Sequence, residues 1–265
     1  MIVAALQTRP RRGRAQDNLD RLCQAVDATD AHLLVAPELA LSGYHFLSPG
    51  ELRPWALPRE NPAFDRLVEH HLKPRNRHLV LGFAEADGDR LFNSAALLGP
   101  KGLLAVYRKT HLFDAEKDLF SPGDTGFFVT TLSSGVKVGM MICFDWFFPE
   151  SARSLSLLGA DLIAHPSNLV LPWCQSAMPV RALENRVFTV TANRVGTERN
   201  GQGRLRFTGG SIMVNPLGRV LAKAGRTAVQ VISADIDPAQ ARDKSVTPRN
   251  HCHDDRRPSK YVKMC

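Results

Sequence analysis

The chain has 265 residues, of which 44% are hydrophobic and 23% charged, enough to bury the core of one large α/β domain or two small ones. Its formal net charge of +8 is compatible with binding of nucleic acid or of an anionic substrate. The charge is not concentrated in one block, however, and the densest basic clusters, at residues 9–14, 256–257 and 260–263, have no aromatic platform or nucleic-acid motif beside them. We therefore expect a solvated basic surface and no nucleic-acid partner.

Cysteine usage and hydropathy indicate the compartment. The five cysteines are odd in number and form no CxxC pair, which argues against a disulfide framework and for a reducing environment. The N-terminal apolar run is too short for a signal peptide, and no later run approaches membrane-spanning length. We expect a cytoplasmic protein without a membrane partner, whose cysteines are Cys23, Cys143, Cys174, Cys252 and Cys265.

Apolar runs typical of strands alternate along the chain with segments of helical periodicity. Turn residues at 99–102 join two of the strands into a hairpin, and the segment from residue 239 onwards is a polar tail. No linker, repeat or low-complexity tract interrupts the pattern, so we predict a single α/β domain over residues 1–265 with mixed sheets. The predicted strands are 2–7, 32–37, 79–84, 91–98, 103–107, 136–142, 162–165, 187–192, 210–214, 219–222 and 229–235, and the predicted helices are 16–30, 62–72, 151–158 and 176–186.

Three residues with reactive side chains share one context, the end of an apolar strand. Glu38 follows the second strand, Lys109 follows the fifth, and Cys143 follows the strand at 136–142. Strand ends are where α/β proteins place their chemistry, so the three could converge on one rim of a sheet. Each also has an ordinary alternative: a buried apolar thiol, a turn carboxylate and a surface cation.

Together the three side chains would form a nucleophilic site. A thiolate is the nucleophile, and a thiol near its free pKa needs a base or a cation to supply it. Glu38 could take the thiol proton and return it to a leaving amine. Lys109 could stabilise a developing oxyanion, with the backbone N–H of Phe144 as a second donor.

Three segments resemble the signature blocks of the nitrilase superfamily, the carbon–nitrogen hydrolases. They are VAPELALSGY at 35–44, YRKTHLF at 107–113 and MICFDWFFPE at 141–150, in the family's order and at family-like separations. The resemblance continues through further segments and covers nearly the whole chain. These segments are FSPGD at 120–124, GADLIAHPSN at 159–168, RALENR at 181–186 and DRRP at 255–258.

The resemblance implies a four-layer αββα sandwich, usually dimerised and sometimes assembled further. It implies that Glu38 is the general base, Lys109 the oxyanion-stabilising cation and Cys143 the nucleophile. A second family glutamate lies shortly after the lysine, and Glu116 matches it best, although it could also be a solvated carboxylate at a helix start. The implied reaction proceeds through a thioester and needs neither a metal nor an organic cofactor.

The residues after Cys143 indicate to which branch of the family the chain is most similar. Strict nitrilases usually carry Cys-Trp-Glu and D-amino-acid carbamoylases Cys-Asn-Asp-Arg-Arg, whereas this chain has Cys-Phe-Asp-Trp, similar to small amidases and archaeal nitrilase-type members. We expect hydrolysis of a small aliphatic amide or carbamoyl compound, with nitrile hydrolysis as the alternative. Phe144, Trp146 and Asn168 are the expected substrate-binding residues. The residues after strand two, 46–59, would set the size of the pocket.

Other readings remain open at this point. A catalytically silent binding protein on the same fold would be free to lose any of the three reactive residues. A His/Cys/Asp cluster at 251–255 suggests a metal site, but adjacent residues rarely all point at one ion and no second half-site follows. We therefore expect no metal, a small-molecule amide or nitrile as the partner, and a homodimer or higher homo-oligomer.

Overall fold

The computed structural model describes residues 1–261, so Cys265 and the last basic residue, at position 263, lie outside it. Two six-stranded sheets form the centre of the described chain. The first sheet has the strand order β14-β1-β2-β3-β4-β5, with β1, β2 and β3 parallel and the other three strands antiparallel to their neighbours. Its strands are β1 (Ile2–Gln7), β2 (Leu33–Val35), β3 (His78–Asp87), β4 (Arg90–Gly99), β5 (Gly102–Arg108) and β14 (Gln230–Asp235).

The second sheet repeats this plan, with the strand order β13-β12-β9-β8-β7-β6. Its central strands β7, β8 and β9 are parallel, and β6, β12 and β13 run antiparallel to their neighbours. The strands are β6 (Val129–Thr131), β7 (Lys137–Met140), β8 (Leu162–Ser167), β9 (Phe188–Asn193), β12 (Ile212–Val214) and β13 (Val220–Lys223).

Helices and two hairpins complete the described residues. The hairpins are β10 (Thr197–Asn200) with β11 (Gly203–Arg206), and β15 (Ser245–Thr247) with β16 (Asn250–His251). The α-helices are α1 (Ala15–Asp27), α2 (Pro49–Leu52), α3 (Pro62–Leu67), α4 (Glu116–Leu119), α5 (Pro149–Leu157) and α6 (Cys174–Asn185). A π-helical turn covers Val68–Leu72, and 3₁₀ turns cover Arg53–Trp55, Lys73–Arg75, Cys143–Phe147, Pro238–Ala241 and Pro258–Lys260.

The strands of the first sheet are apolar on both faces because each face is covered. Along β1, Val3 and Ala5 point into the core between the two sheets, whereas Ala4 and Leu6 pack with α1 and α3 on the outer face. This division follows from the two-residue period of a strand. On the second sheet, Gly139 faces α5 so closely that an added Cβ would lie 2.9 Å from Leu155. The layers are therefore helix, sheet, sheet and helix, which confirms the predicted αββα sandwich.

Most predicted elements are confirmed, and the differences have physical causes. The strand predicted at 136–142 ends at Met140 because the backbone N–H of Ile142 donates to the Asp145 carboxylate rather than to a neighbouring strand. The strand predicted at 32–37 is reduced to Leu33–Val35, since Pro37 cannot donate to a ladder. The helix predicted at 16–30 ends at Asp27. The segment from residue 239 is not a featureless tail, because it contains the hairpin β15–β16.

No helix within residues 1–261 is long and apolar enough to cross a membrane.

Candidate active site

Three strand ends meet at one edge of the sandwich. Glu38 follows β2, and Lys109 follows β5. The strands β2 and β5 run in the same direction, because β3 is parallel to β2 and the chain reverses direction once between β3 and β4 and again between β4 and β5. Cys143 follows β7 of the second sheet. The backbone of Glu38 lies directly over Gly82 of β3, where an added Cβ would come within 2.5 Å of the Glu38 Cα. A glycine at this position therefore lets the loop that carries Glu38 approach the sheet.

Lys109 is the centre of a buried charge cluster. Its Nζ donates to Glu38 Oε1 at 2.7 Å and to both oxygens of Glu116, at 2.9 and 2.7 Å. All three side chains are at most 3% exposed. Two carboxylates thus face one ammonium without solvent screening, so each group strongly affects the ionisation of the others. Glu116 is therefore not a solvated helix-start carboxylate.

Further hydrogen bonds fix the two carboxylates. The hydroxyl of Tyr44 donates to Glu116 Oε1 at 2.7 Å, and the backbone N–H of Phe113 donates to its Oε2 at 3.1 Å. The Asn93 amide donates to Glu38 Oε1 at 2.7 Å. The second oxygen of Glu38, Oε2, is buried and has no hydrogen-bond partner among the described residues. Glu116 is thus fully held, whereas Glu38 keeps one oxygen free to accept a proton.

Burial shifts the ionisation of the cluster. Loss of solvent raises the pKa of Glu38 to about 7, although the Lys109 ammonium and the Asn93 hydrogen bond oppose the shift. Burial also raises the pKa of the Cys143 thiol well above its usual value, and the charge on Glu38 adds to this effect. Lys109 is itself desolvated, but the two carboxylates more than compensate and raise its pKa. The arrangement therefore favours a neutral thiol, a permanent ammonium and a carboxyl group that titrates near neutrality.

Cys143 lies on a tight turn, three residues after the end of β7. Its φ of +40° is in the left-handed region, which costs a non-glycine residue roughly 1–3 kcal/mol. Two interactions hold the turn in this conformation. Asp145 accepts the N–H of Ile142 at 2.8 Å, and the ring of His165 contacts the Cys143 carbonyl oxygen through Nε2 at 2.9 Å. Since Cys143 is only 5% exposed, the thiol is presented inside the protein.

Asp145 also joins the turn that carries Cys143 to the segment around Lys109 in the other sheet. Its Oδ2 accepts the hydroxyl of Tyr107 at 2.8 Å. Its Oδ1 contacts the ring Nδ1 of His111 at 2.7 Å and accepts the backbone N–H of His111 at 3.1 Å. Because Tyr107 and His111 flank Lys109 by two residues on each side, one carboxylate sets the position of Cys143 relative to Lys109.

Two neighbouring cavities open onto this cluster and share Phe113 and Val170. The first contains Cys143 together with Phe144, Trp146 and Asn168, so the three predicted substrate-binding residues lie beside the thiol. The second has a volume of about 180 Å³ and is lined by Tyr44, Glu116 and part of the predicted size-setting loop, namely Phe46 and Leu47.

Asn168 differs from the other lining residues because its polar groups are unused. The side chain is 1% exposed, and neither Oδ1 nor Nδ2 has a partner among the described residues. Its backbone lowers the pKa of the Cys143 thiol, against the larger effect of burial. A buried amide without partners is costly, so a polar ligand in this cavity would find both a donor and an acceptor.

Sequence reasoning named the reactive residues but missed those that hold them. Asn93 was not predicted, and Tyr44, Asp145 and His165 were noted only as parts of motifs. Asn93 had a detectable signal, because it is a polar side chain within the apolar run Leu91–Leu98. Tyr44 and His165 carried no signal of this kind, since tyrosine and histidine side chains commonly pack in the core.

The described residues contain no group of three His, Cys, Asp or Glu side chains arranged to hold a metal ion. In the 251–255 segment, His251 pairs with Asp254 at 3.0 Å and His253 contacts the Ser156 hydroxyl. Cys23, Cys143, Cys174 and Cys252, the four cysteines of residues 1–261, are all free thiols.

Comparison with known proteins gives the family. The sequence model of the carbon–nitrogen hydrolase family matches residues 2–244. The chain is 45% identical over 244 residues to a nitrilase of Pyrococcus abyssi, covering 92% of this chain and 91% of that protein. It is 39% identical over 247 residues to an (R)-stereoselective amidase of a Pseudomonas species, covering 91% and 87%.

A solved amidase supports the same assignment through its fold. The structure superposes with a TM-score of 0.78 on a variant of the amidase from Nesterenkonia sp. AN1. That variant was solved with the acetamide moiety of fluoroacetamide added covalently at its active site cysteine. It is 28% identical, and the match covers 91% of this chain and 92% of that one. The chain is therefore a member of the carbon–nitrogen hydrolase family, an enzyme of the nitrilase and amidase type.

Proposed function

We propose that this enzyme hydrolyses a small aliphatic amide or carbamoyl compound to a carboxylic acid and ammonia through a thioester on Cys143. The observation that carries the proposal is the buried Lys109, whose Nζ lies within 2.9 Å of two carboxylates beside the enclosed thiol. Such a cluster costs folding free energy, and in a hydrolase it supplies a base and an oxyanion donor in one place.

In the proposed acylation step, the free Oε2 of Glu38 takes the thiol proton as Sγ attacks the carbonyl carbon. The electron pair of the carbonyl double bond moves onto oxygen, where Lys109 and the backbone N–H of Phe144 stabilise it. The tetrahedral intermediate collapses when the carbon–nitrogen bond breaks. Glu38 gives its proton to the departing nitrogen, so ammonia leaves and the thioester remains.

Deacylation reverses these roles with water as the nucleophile. Glu38 takes a proton from the water, whose oxygen attacks the thioester carbon, and the thiol of Cys143 leaves with that proton. We assign Glu116 a positioning role, because its two oxygens are already engaged by Lys109, Tyr44 and Phe113. It orients Lys109 and the substrate nitrogen rather than transferring protons itself.

The ionisation of the cluster predicts the pH dependence of this mechanism. The reactive form needs an ionised Glu38 and a protonated thiol. Because the pKa of Glu38 is raised to about 7 and that of Cys143 lies well above its usual value, this form dominates from neutral pH upwards. The rate should therefore fall below pH 7 as Glu38 becomes protonated.

The amide is favoured over the nitrile because of the unused groups of Asn168. A substrate amide offers both a donor and an acceptor to the free Oδ1 and Nδ2, whereas a nitrile offers only an acceptor. A nitrilase activity remains the alternative, since one of the similar proteins is named a nitrilase and the other an amidase. We propose Phe144 and Trp146 as the apolar walls for the acyl chain.

The remaining expectations stay part of this proposal. Free thiols suit a reducing compartment, so we place the enzyme in the cytoplasm. We propose a homodimer, as the family resemblance implies, and no metal or organic cofactor, since each proton transfer is assigned to a side chain of this chain.

The test is ammonia release from a panel of short amides, carbamoyl amines and nitriles, with Cys143→Ala as the inactive variant. Cys23→Ala is the matched control, because Cys23 is half-buried and its thiol pKa is raised to about 11, away from the cluster. We expect turnover of an amide and a mass increase equal to the acyl group on Cys143 alone. Full turnover by Cys143→Ala would refute the mechanism. Complete inactivity on the panel, with Cys143 no more reactive towards alkylation than Cys23, would favour a catalytically silent protein.

A further inference from the structure

A further cavity, separate from the two beside Cys143, lies where the N-terminal basic segment meets the loop after β9. It has a volume of about 310 Å³, and most of its lining surface is polar. We call it the arginine cavity because five of its eight lining residues are arginines: Arg9, Arg11, Arg12, Arg194 and Arg199.

The arginine cavity carries an excess of positive charge. Arg11 pairs with Asp17, Arg12 with Glu51 and Arg194 with Glu198. The side chains of Arg9 and Arg199, both exposed, form no hydrogen bond or ion pair with any of the described residues. Five guanidinium groups thus face three carboxylates, which leaves two positive charges without a partner.

One arginine of the cavity is buried with an unused donor. Arg194 is 1% exposed, and its Nη1 donates to Glu198 Oε1 at 2.6 Å while its Nη2 donates to the Pro10 carbonyl. Its Nε is buried and has no partner within residues 1–261. The ring of Phe207 lies 3.9 Å from its Cζ and fixes the guanidinium plane. Burial lowers the pKa of Arg194, and the charge of Arg9 lowers it further.

We propose that the arginine cavity binds a small anion with at least two negative charges, held by the unpaired guanidinium groups of Arg9 and Arg199. The planar guanidinium fork matches phosphate and carboxylate oxygens, so the shared chemistry is a dianion of either kind. A ligand of this charge would neutralise the excess positive charge of the cavity.

The arginine cavity is connected to the candidate active site by hydrogen bonds. The second oxygen of Glu198 accepts the backbone N–H groups of Tyr44 and His45, at 3.1 and 2.7 Å. The hydroxyl of Tyr44 in turn donates to Glu116. An anion in the arginine cavity would therefore lie beside Glu198, the first member of the chain of contacts that holds Glu116.

The test is calorimetric titration of the whole protein with inorganic pyrophosphate and, separately, with succinate. We expect saturable one-to-one binding of at least one of them, weakened roughly tenfold or more by Arg9→Ala or Arg199→Ala, since each removes a charge-assisted hydrogen bond. Both variants replace exposed side chains, so the fold and the amidase activity should persist. The anion that binds identifies the phosphate or the carboxylate chemistry.

Arg206→Ala and Arg226→Ala are matched controls, because these two exposed arginines line a different basic cavity of about 430 Å³. They should leave the affinity unchanged. The proposal is overturned if neither anion binds saturably, or if the controls weaken binding as much as the arginine-cavity variants do. The readout is binding, so it does not depend on the proposed amidase reaction.

Discussion

The hydrogen bond from Asn93 to Glu38 allows the proposed base to be tested through its pKa. Asn93→Leu keeps the approximate volume of the side chain but removes the donor 2.7 Å from Glu38 Oε1. A hydrogen bond to an ionised group contributes about 1.5–3 kcal/mol and one to a neutral group about 0.5–1.5 kcal/mol. Its loss therefore disfavours the ionised form of Glu38, relative to the neutral form, by roughly 1–1.5 kcal/mol, which corresponds to a shift of about one unit in the pKa.

Because the ionised form of Glu38 is the one disfavoured, its pKa should rise from about 7 to about 8. The assay is the pH dependence of kcat/KM for ammonia release from the best amide of the panel, whose acidic limb should move upwards by that amount. Ser94→Ala is the matched control, since its buried hydroxyl donates instead to Glu85 at 2.6 Å. An acidic limb that stays in place, moves downwards, or moves equally in Ser94→Ala would refute the assignment of Glu38 as the base.

Three further variants test the cluster. Tyr44→Phe removes one hydrogen bond to the charged Glu116 and should lower kcat/KM roughly tenfold and the unfolding free energy by about 1.5–3 kcal/mol. Lys109→Met leaves two buried carboxylates without a counter-ion and should cost about 3–5 kcal/mol of unfolding free energy at pH 8, but less at pH 5, where the carboxylates can be protonated. Gly82→Ala places a methyl group 2.5 Å from the Glu38 Cα and should lower kcat/KM by about a hundredfold through displacement of the base.

Each of these variants has a contrary outcome or a control. Gly50→Ala tests the glycine argument, since its nearest neighbour would be 3.9 Å away and its activity should be unchanged. A Lys109→Met protein equally destabilised at pH 5 and pH 8 would contradict the carboxylate repulsion. A Tyr44→Phe protein with normal kcat/KM would show that Lys109 and Phe113 suffice to hold Glu116.

The fold and the reactive residues could be predicted because their signals are local. Apolar runs identified the strands, and Glu38, Lys109 and Cys143 each lie within three residues of a strand end. The order of the strands within the two sheets could not be derived from periodicity, because a strand buried on both faces reads as a continuous apolar run whatever its neighbours are. The resemblance to a known family supplied the layering that the residues alone left open.

The supporting contacts could not be predicted because they join distant parts of the chain. Tyr44 and Glu116 are 72 positions apart, and Tyr107 and Asp145 are 38 positions apart. Each contact depends on how two loops approach after the sheets have packed, which no local pattern encodes. The early end of β7 has a local cause instead, since the Asp145 carboxylate, three positions further along the chain, accepts the N–H of Ile142.

The bridge made by Asp145 has a consequence for folding. Glu38, Lys109 and Tyr107 belong to the first sheet and Cys143 to the second, so neither half of the sandwich contains the whole of the proposed site. During refolding, strand formation should be visible by far-ultraviolet circular dichroism before the two sheets dock. Catalytic activity can return only with docking, when Tyr107 and His111 reach Asp145. Regain of activity is therefore a direct kinetic signal for the assembly of the sandwich, separate from the formation of its strands.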